Sequence, residues 1–271
     1  MFRTNKWRCG AVVIARDEGR IIRMCLESLK RQTVELFVVV VNDGSLDNTG
    51  EIASRYADVV VVLSRHEENW TGRPELAGVF NAGFNVLKER SVEYVLVSGA
   101  DGVYPPNYVK EITDKMEEEN VVVASGALEG KSSQSFWPRA CGRVIDAEWF
   151  RHVGFKYPSN YAFEEYPVYK AFSQNKRVTV FPELKFKLFR EPRLSTRKLY
   201  LWGKGMKALS YWWPYAFGRA VLVGLRNPMG GFALLRGYLP KVSEQYADLK
   251  NFVPSFQRRV LIKKIMEVLR R

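Results

Sequence analysis

The chain reads as an α/β fold: a mostly parallel, twisted sheet flanked by helices in a Rossmann-like arrangement, followed by a helical extension. Three observations carry this. Strand-like and helix-like segments alternate across residues 11–125, at the short spacing that parallel strands with right-handed crossovers require. The run 36–41 is apolar and mostly β-branched, as in a strand covered on both faces. Acidic residues follow several of the strands, at the sheet edge where such folds bind ligands.

The elements follow in order. Residues 11–15 form a short buried strand, and Ile21, Ile22, Cys25, Leu26 and Leu29 then recur at helical spacing. After the strand at 36–41, Asp47, Asn48 and Thr49 offer caps for a short helix reaching Tyr56. Residues 59–63 are the third strand, and a helix opening on Pro74 and Glu75 runs to Arg90. A strand at 94–98, a helix at 106–119 and a strand at 121–125 complete the alternation. The expected division is a body at 1–190 and a helical, basic and aromatic region at 191–271.

Composition narrows the class. The 271 residues are 46% hydrophobic and 26% charged, an ordinary globular balance that excludes a disordered or fibrous chain. No apolar run reaches the ~18 residues of a spanning helix, and the charged start Met1–Cys9 lacks the apolar core of a cleavable signal. Cys9, Cys25 and Cys141 have no ligand-like spacing, which argues against a disulfide scaffold or zinc and for a reducing, cytoplasmic setting. The net charge of +13 is concentrated at one end: from Lys185 onward there are 19 Lys and Arg against 4 Asp and Glu. The same stretch holds 14 of the 36 aromatic residues. A basic, aromatic tail calls for an anionic partner, either a membrane or a nucleic acid.

Asp17 and Glu18 follow strand one, Asp43 follows strand two and Asp101 follows strand four. Asp-Gly is also a common turn dipeptide, which accounts for Asp43 or Asp101 singly but poorly for all of them on one edge. Acids grouped there repel unless a cation or donor groups sit between them. Oxygen ligands of this kind suit Mg²⁺ or Mn²⁺ on a diphosphate. The strand-one loop has no Gly-x-Gly-x-x-Gly and the chain has no Gly-Lys-Ser/Thr, so dinucleotide-binding and P-loop readings lack support.

With these residues in view the sequence resembles the family 2 glycosyltransferases, inverting enzymes of the GT-A fold. The matching stretches begin with Val12-Val13-Ile14-Ala15-Arg16-Asp17-Glu18, Leu26-x-Ser28-Leu29-x-x-Gln32 and Val41-Asn42-Asp43-Gly44-Ser45-x-Asp47-x-Thr49. They continue with Asn81-x-Gly83, Asp101 with Tyr104-Pro105, Val153-Gly154-Phe155 and Glu164-Glu165. The resemblance covers roughly residues 9–190 and implies a nucleotide-sugar donor, UDP- or GDP-linked. It implies that Asp17 or Glu18, with Asp43 and Ala15, hold the base and ribose. Asp101 would bind the Mg²⁺ or Mn²⁺ cofactor, although the usual Asp-x-Asp is broken, with Gly at 99 and Val at 103. Glu165, or Glu164 one residue earlier, takes the place of the catalytic base, in competition with a plain helix-opening role for these acids. Arg73 and Asn81 fall in the donor-binding stretch, though the Arg often found just before that Asn is here Phe80. His66 is set aside as an ordinary surface residue, and Trp137 and Trp149 serve either as sugar platforms or as core.

In the tail, Tyr200, Trp202, Tyr211, Trp212 and Trp213 mix with Lys198, Lys204 and Lys207, and residues 255–271 form a basic amphipathic segment. This fits either an anionic membrane interface or a helical subdomain packed on the sheet. The Gln-x-x-Arg-Trp signature of processive synthases is missing, which speaks against polymerisation. The expected activity is metal-dependent, inverting transfer of a sugar to an acceptor hydroxyl or phosphate, on a sugar or a polyprenyl-phosphate lipid. The rival readings are a non-catalytic nucleotide-sugar binder on the same fold and a basic nucleic-acid-binding protein. The second leaves the strand-end acids unexplained, so no nucleic-acid partner is expected.

Overall fold

The computed structural model describes residues 7–68, 70–131, 136–190, 195–241 and 244–269. The chain forms two compact units. The first comprises Met1–Asn69, Gly78–Tyr157 and Gln174–Glu191. Its strands are β1 (Trp7–Ala15), β2 (Leu36–Asn42), β3 (Val59–Val62), β4 (Val92–Gly99), β5 (Gly102–Val103), β6 (Val121–Leu128), β7 (Arg143–Asp146) and β8 (Arg177–Leu188). They lie in the order β3-β2-β1-β4-β7-β6-β8-β5.

The parallel part is as expected: β1 pairs in parallel with β2 and β4, and β2 with β3. Every residue of β2 is buried, which is why this strand carries no polar alternation. The helices α1 (Ile22–Lys30), α2 (Thr49–Ser54), α3 (Leu76–Lys88) and α4 (Tyr108–Glu118) connect these strands. Leu26 and Leu29 of α1 join Val38, Val40, Leu96 and Ile112 in the core on one sheet face. On α3, Gly83 is required by close approach: a Cβ there would stand 2.5 Å from Val12 Cγ1. The Asn-x-Gly motif thus lets the helix lie flat on the sheet.

The sheet is mostly but not wholly parallel, as expected, and the antiparallel strand is one the sequence reading did not place. β7 runs antiparallel to both β4 and β6, because no crossover helix is found among the described residues between β6 and β7 and a parallel return needs one. β8 escaped the sequence reading because Pro182 interrupts it. The register against β6 jumps from Gly126↔Phe181 to Ala127↔Lys185, so an irregularity absorbs the proline. Short α5 (Ala147–His152) is capped by Asp146, which accepts the Trp149 N–H at 2.6 Å. Trp149 itself is buried and donates from its indole to Gln174, so it packs the core.

The second unit comprises Trp70–Ala77, Pro158–Ser173 and Pro192–Arg271. It holds α6 (Tyr166–Ser173), α7 (Thr196–Ala208), α8 (Trp213–Gly224), α9 (Pro228–Tyr238) and α10 (Phe252–Leu269). Ser195 caps α7, and Asn227 caps α9 ahead of Pro228. Leu199, Met206, Ala216, Ala220, Ala233 and Leu234 form its core, with Tyr200, Trp202 and Tyr211 packed against them. Those three aromatics therefore serve packing. In α10, Val253 and Gln257 are buried while Leu261 and Ile262 are exposed, so its described side chains do not sort into one apolar and one basic face. The side chains of residues 263–265 and 267–271 lie outside the described residues.

Candidate active site

Ala15 ends β1 and Asn42 ends the neighbouring β2. The two loops that leave these strands are stitched together by the Asp-Gly-Ser-x-Asp-x-Thr stretch. Ser45 Oγ accepts the Asp17 N–H at 3.0 Å, Thr49 Oγ1 the Glu18 N–H at 2.8 Å and Asp47 Oδ2 the Gly19 N–H at 2.9 Å. Three successive backbone donors are thus satisfied by side chains two residues apart, which explains the spacing of the motif. Gly44 adopts φ +65°, and a Cβ there would reach 2.4 Å from Arg65 Cα, so a larger residue is excluded.

Asp17 stands in the left-handed region at φ 54°, which Asp tolerates. Its carboxylate accepts the Leu46 N–H at 2.8 Å and pairs with Arg65 at 3.0 Å. The Leu46 hydrogen bond, aided by Arg65, holds this acid below the ordinary carboxylate range. Asp17 therefore acts as a loop staple. Asp43 differs. It is 5% exposed, its N–H donates to the Ala15 carbonyl at 2.9 Å, and its Oδ2 faces His66 Nε2 at 3.0 Å and Arg16 Nη1 at 3.7 Å. Its Oδ1 is buried and has no hydrogen-bond partner among the described residues. A buried carboxylate oxygen left unsatisfied is costly, and it fits a donor N–H or O–H supplied by a ligand.

Glu18 and Asp101 meet at Arg190. Arg190 Nη2 donates to Glu18 Oε1, and its Nε stands 4.0 Å from Asp101 Oδ2. Burial pushes the Glu18 carboxyl up, an effect that Arg190 opposes. The loop carrying Asp101 is held from behind by the Ser28–Gln32 motif. Gln32 donates to the Pro105 carbonyl at 2.7 Å and accepts the Val109 N–H at 2.9 Å, while Ser28 Oγ accepts the Tyr104 N–H at 3.2 Å. Gln32 thus satisfies an N–H of the first turn of α4 from the loop that follows α1.

The resemblance puts Asn81 in the donor-binding stretch. Its amide is spent on one backbone, Nδ2 donating to the Tyr157 carbonyl at 2.8 Å and Oδ1 accepting the Tyr157 N–H at 2.7 Å. The remaining residues belong to the second unit. Arg73 pairs with Glu75 at 2.9 Å. Glu164 and Glu165 are half-buried just before α6, where the Glu165 N–H donates to the carbonyl of Ala162, itself at φ 59°. Burial, with the charge of Glu165 among the lesser causes, raises the Tyr169 and Tyr211 phenols, whose hydroxyls are 2.8 Å apart. Lys204 donates to the Tyr161 hydroxyl at 3.3 Å in the same unit.

The sequence reading missed Arg190, Arg16 and His66. Nothing in the local pattern marks Arg190, because its partners lie at the far end of the chain. A lone histidine carries no signal until its ring is seen facing a buried acid.

With this geometry in place, comparison with known proteins decides the class. The model of the family described as Glycosyl transferase family 2 matches residues 11–177. The chain belongs to that family. It is 34% identical over 123 residues to the uncharacterized glycosyltransferase YibD of Escherichia coli, covering 43% of this chain and 32% of that one. It is 29% identical over 119 residues to glycosyltransferase GlyG of Streptococcus pneumoniae, covering 42% and 37%. The match thus spans about a third of the length of these relatives. Among solved structures, the mannosyltransferase PcManGT of Pyrobaculum calidifontis, in complex with GDP-Man and Mn²⁺, aligns with TM-score 0.58 at 16% identity over 87% of this chain and 70% of that one. TarS of S. aureus, in complex with UDP-GlcNAc, aligns with TM-score 0.57 at 17% identity over 84% and 79%. The fold is GT-A.

Proposed function

We propose that this family member transfers a sugar, with inversion, from a UDP- or GDP-linked donor to an acceptor hydroxyl or phosphate. The observation that carries the donor reading is Asp43 Oδ1, a buried carboxylate oxygen without a partner at the end of β2. A nucleoside offers base N–H and ribose O–H groups that a carboxylate accepts in fixed geometry. The nucleotide sugars in the TarS and PcManGT complexes support the same donor class.

Asp101 would hold the divalent ion. No group of three or more His, Cys, Asp or Glu side chains able to hold a metal occurs among the described residues, so phosphate oxygens and water would complete the sphere. A carboxylate oxygen fits Mg²⁺ or Mn²⁺, and the ion would neutralise charge developing on the leaving diphosphate. Arg190, beside Asp101, offers a second positive group for that diphosphate. Glu165 would accept the acceptor hydroxyl proton as the acceptor oxygen bonds to the anomeric carbon. The bond from that carbon to the diphosphate breaks, and the electron pair leaves with the nucleotide. Glu164 stands one residue away as the alternative base. If the acceptor is a phosphate, such as a polyprenyl phosphate at a cytoplasmic membrane face, no strong base is needed and Glu165 orients it.

The test is transfer from labelled UDP- and GDP-sugars to polyprenyl phosphate and to free sugars, with the product's anomeric configuration read by NMR. One donor class giving an inverted product is expected. A product that retains the donor's configuration would overturn the mechanism.

A further inference from the structure

Two helices of the second unit, α8 and α9, turn small residues inward and large apolar ones outward. Buried positions of α8 and α9 are largely small, with Ala216 and Ala220 on one helix and Gly230, Gly231, Ala233 and Gly237 on the other. A Cβ on Gly231 would stand 2.7 Å from the Ala220 carbonyl oxygen, and one on Gly237 2.0 Å from that of Tyr200. The large apolar side chains point the other way. Trp213, Phe217, Leu222 and Leu225 along α8 and its end, and Phe232 and Leu239 along α9 and its end, are each more than half exposed. A helix on the surface of a water-facing protein shows the opposite pattern, and single exposed apolar residues do not account for two adjacent helices.

Charge identifies what this face meets. From residue 192 to residue 243 the chain has nine Lys and Arg and no Asp or Glu. Arg226, Arg236 and Lys241 are exposed at the ends of the same helices. No helix among the described residues is long and apolar enough to cross a membrane, and α8 has 12 residues and α9 has 11. Short helices with apolar side chains outward, Trp at one end and basic residues around them lie in the plane of an anionic bilayer surface.

We infer that the α8–α9 pair is a membrane-docking element that seats its apolar side chains among the acyl chains of an anionic leaflet, with Arg226, Arg236 and Lys241 at the headgroups. This surface lies within the basic, aromatic region 191–271 and narrows it to two helices. The inference does not rest on the donor reading, since none of these residues belongs to the strand-end site.

The test is flotation of the full chain with vesicles of phosphatidylcholine alone and of phosphatidylcholine mixed equally with phosphatidylglycerol. The wild type should float with the mixed vesicles and much less with the neutral ones. Combined F217S, L222S and L225S should weaken binding by about 100-fold or more, from the lost burial of three apolar side chains. Combined R226E, R236E and K241E should abolish the preference for the anionic vesicles. All these positions are exposed, so the melting temperature and nucleotide binding should stay unchanged, and loss of donor binding alone would leave the docking result standing. Equal flotation of wild type and serine variant would overturn the inference. So would a wild type that ignores both vesicles but self-associates in sedimentation through these same side chains.

Discussion

Asp43→Asn is the most informative single change in the strand-end site. The substitution keeps the shape of the side chain, and its amide oxygen can still face His66 Nε2, which lies 3.0 Å from Asp43 Oδ2. What it removes is the charged, unsatisfied oxygen Oδ1, replaced by an NH₂ group that cannot accept. A hydrogen bond to a charged group contributes about 1.5–3 kcal/mol, so nucleotide affinity should fall about 10- to 150-fold. The folded state loses no satisfied bond at Oδ1, so the free protein should change by less than about 1 kcal/mol, a melting shift within about 2–4 °C. Calorimetric titration of UDP and GDP, with a thermal melt of each variant, measures both quantities. Asp43→Ala should behave differently, lowering the melting temperature as well, because it takes away the acceptor facing His66. Unchanged nucleotide affinity in a normally folded Asp43→Asn protein would refute the argument that the orphaned oxygen awaits a ligand.

Other substitutions test neighbouring links. Gln32→Ala should cost about 1–3 kcal/mol by leaving the Val109 N–H without its partner and removing one of the two donors to the Pro105 carbonyl, and an unchanged melting temperature would contradict the bracing role. Asp17→Asn tests the loop staple through pH. The native carboxyl sits below its ordinary value, so its stabilisation is present above about pH 4 and is lost as pH falls through the native value. The melting temperature of wild type should exceed that of Asp17→Asn at neutral pH, and the gap should close under acid; a constant gap would rule out the charge as its source. With a hydroxyl acceptor, Glu165→Gln should lower turnover by about 100-fold or more while donor affinity stays unchanged. If Glu164→Gln is instead the inactive variant, the base lies one residue earlier.

The parallel half of the sheet and the strand-end acids were legible because both are local. A fully buried strand reads as an unbroken apolar run, and side chains that accept neighbouring backbone N–H groups must sit at fixed spacing, as Ser45, Asp47 and Thr49 do. The antiparallel β7 was not legible, because strand direction depends on how the chain returns and not on the four residues of the strand. The interrupted β8 hid behind Pro182. Within the site, the sequence could not separate Asp17 from Asp43, since both are strand-end acids. Only the partners show that one is consumed by Leu46 and Arg65 while the other keeps an open oxygen. Asn81 carried a family signal but holds the Tyr157 backbone. Tail composition indicated an anionic partner but not the face, because exposure is a property of packing.

The most direct test of the account is titration of UDP-, GDP- and dTDP-sugars by calorimetry, with and without Mn²⁺, on wild type and Asp101→Ala. The account predicts binding of one nucleotide class that strengthens with Mn²⁺ in the wild type and loses that dependence in the variant. No binding of any nucleotide sugar in the presence of Mn²⁺, or binding with the same metal response in Asp101→Ala, would contradict it.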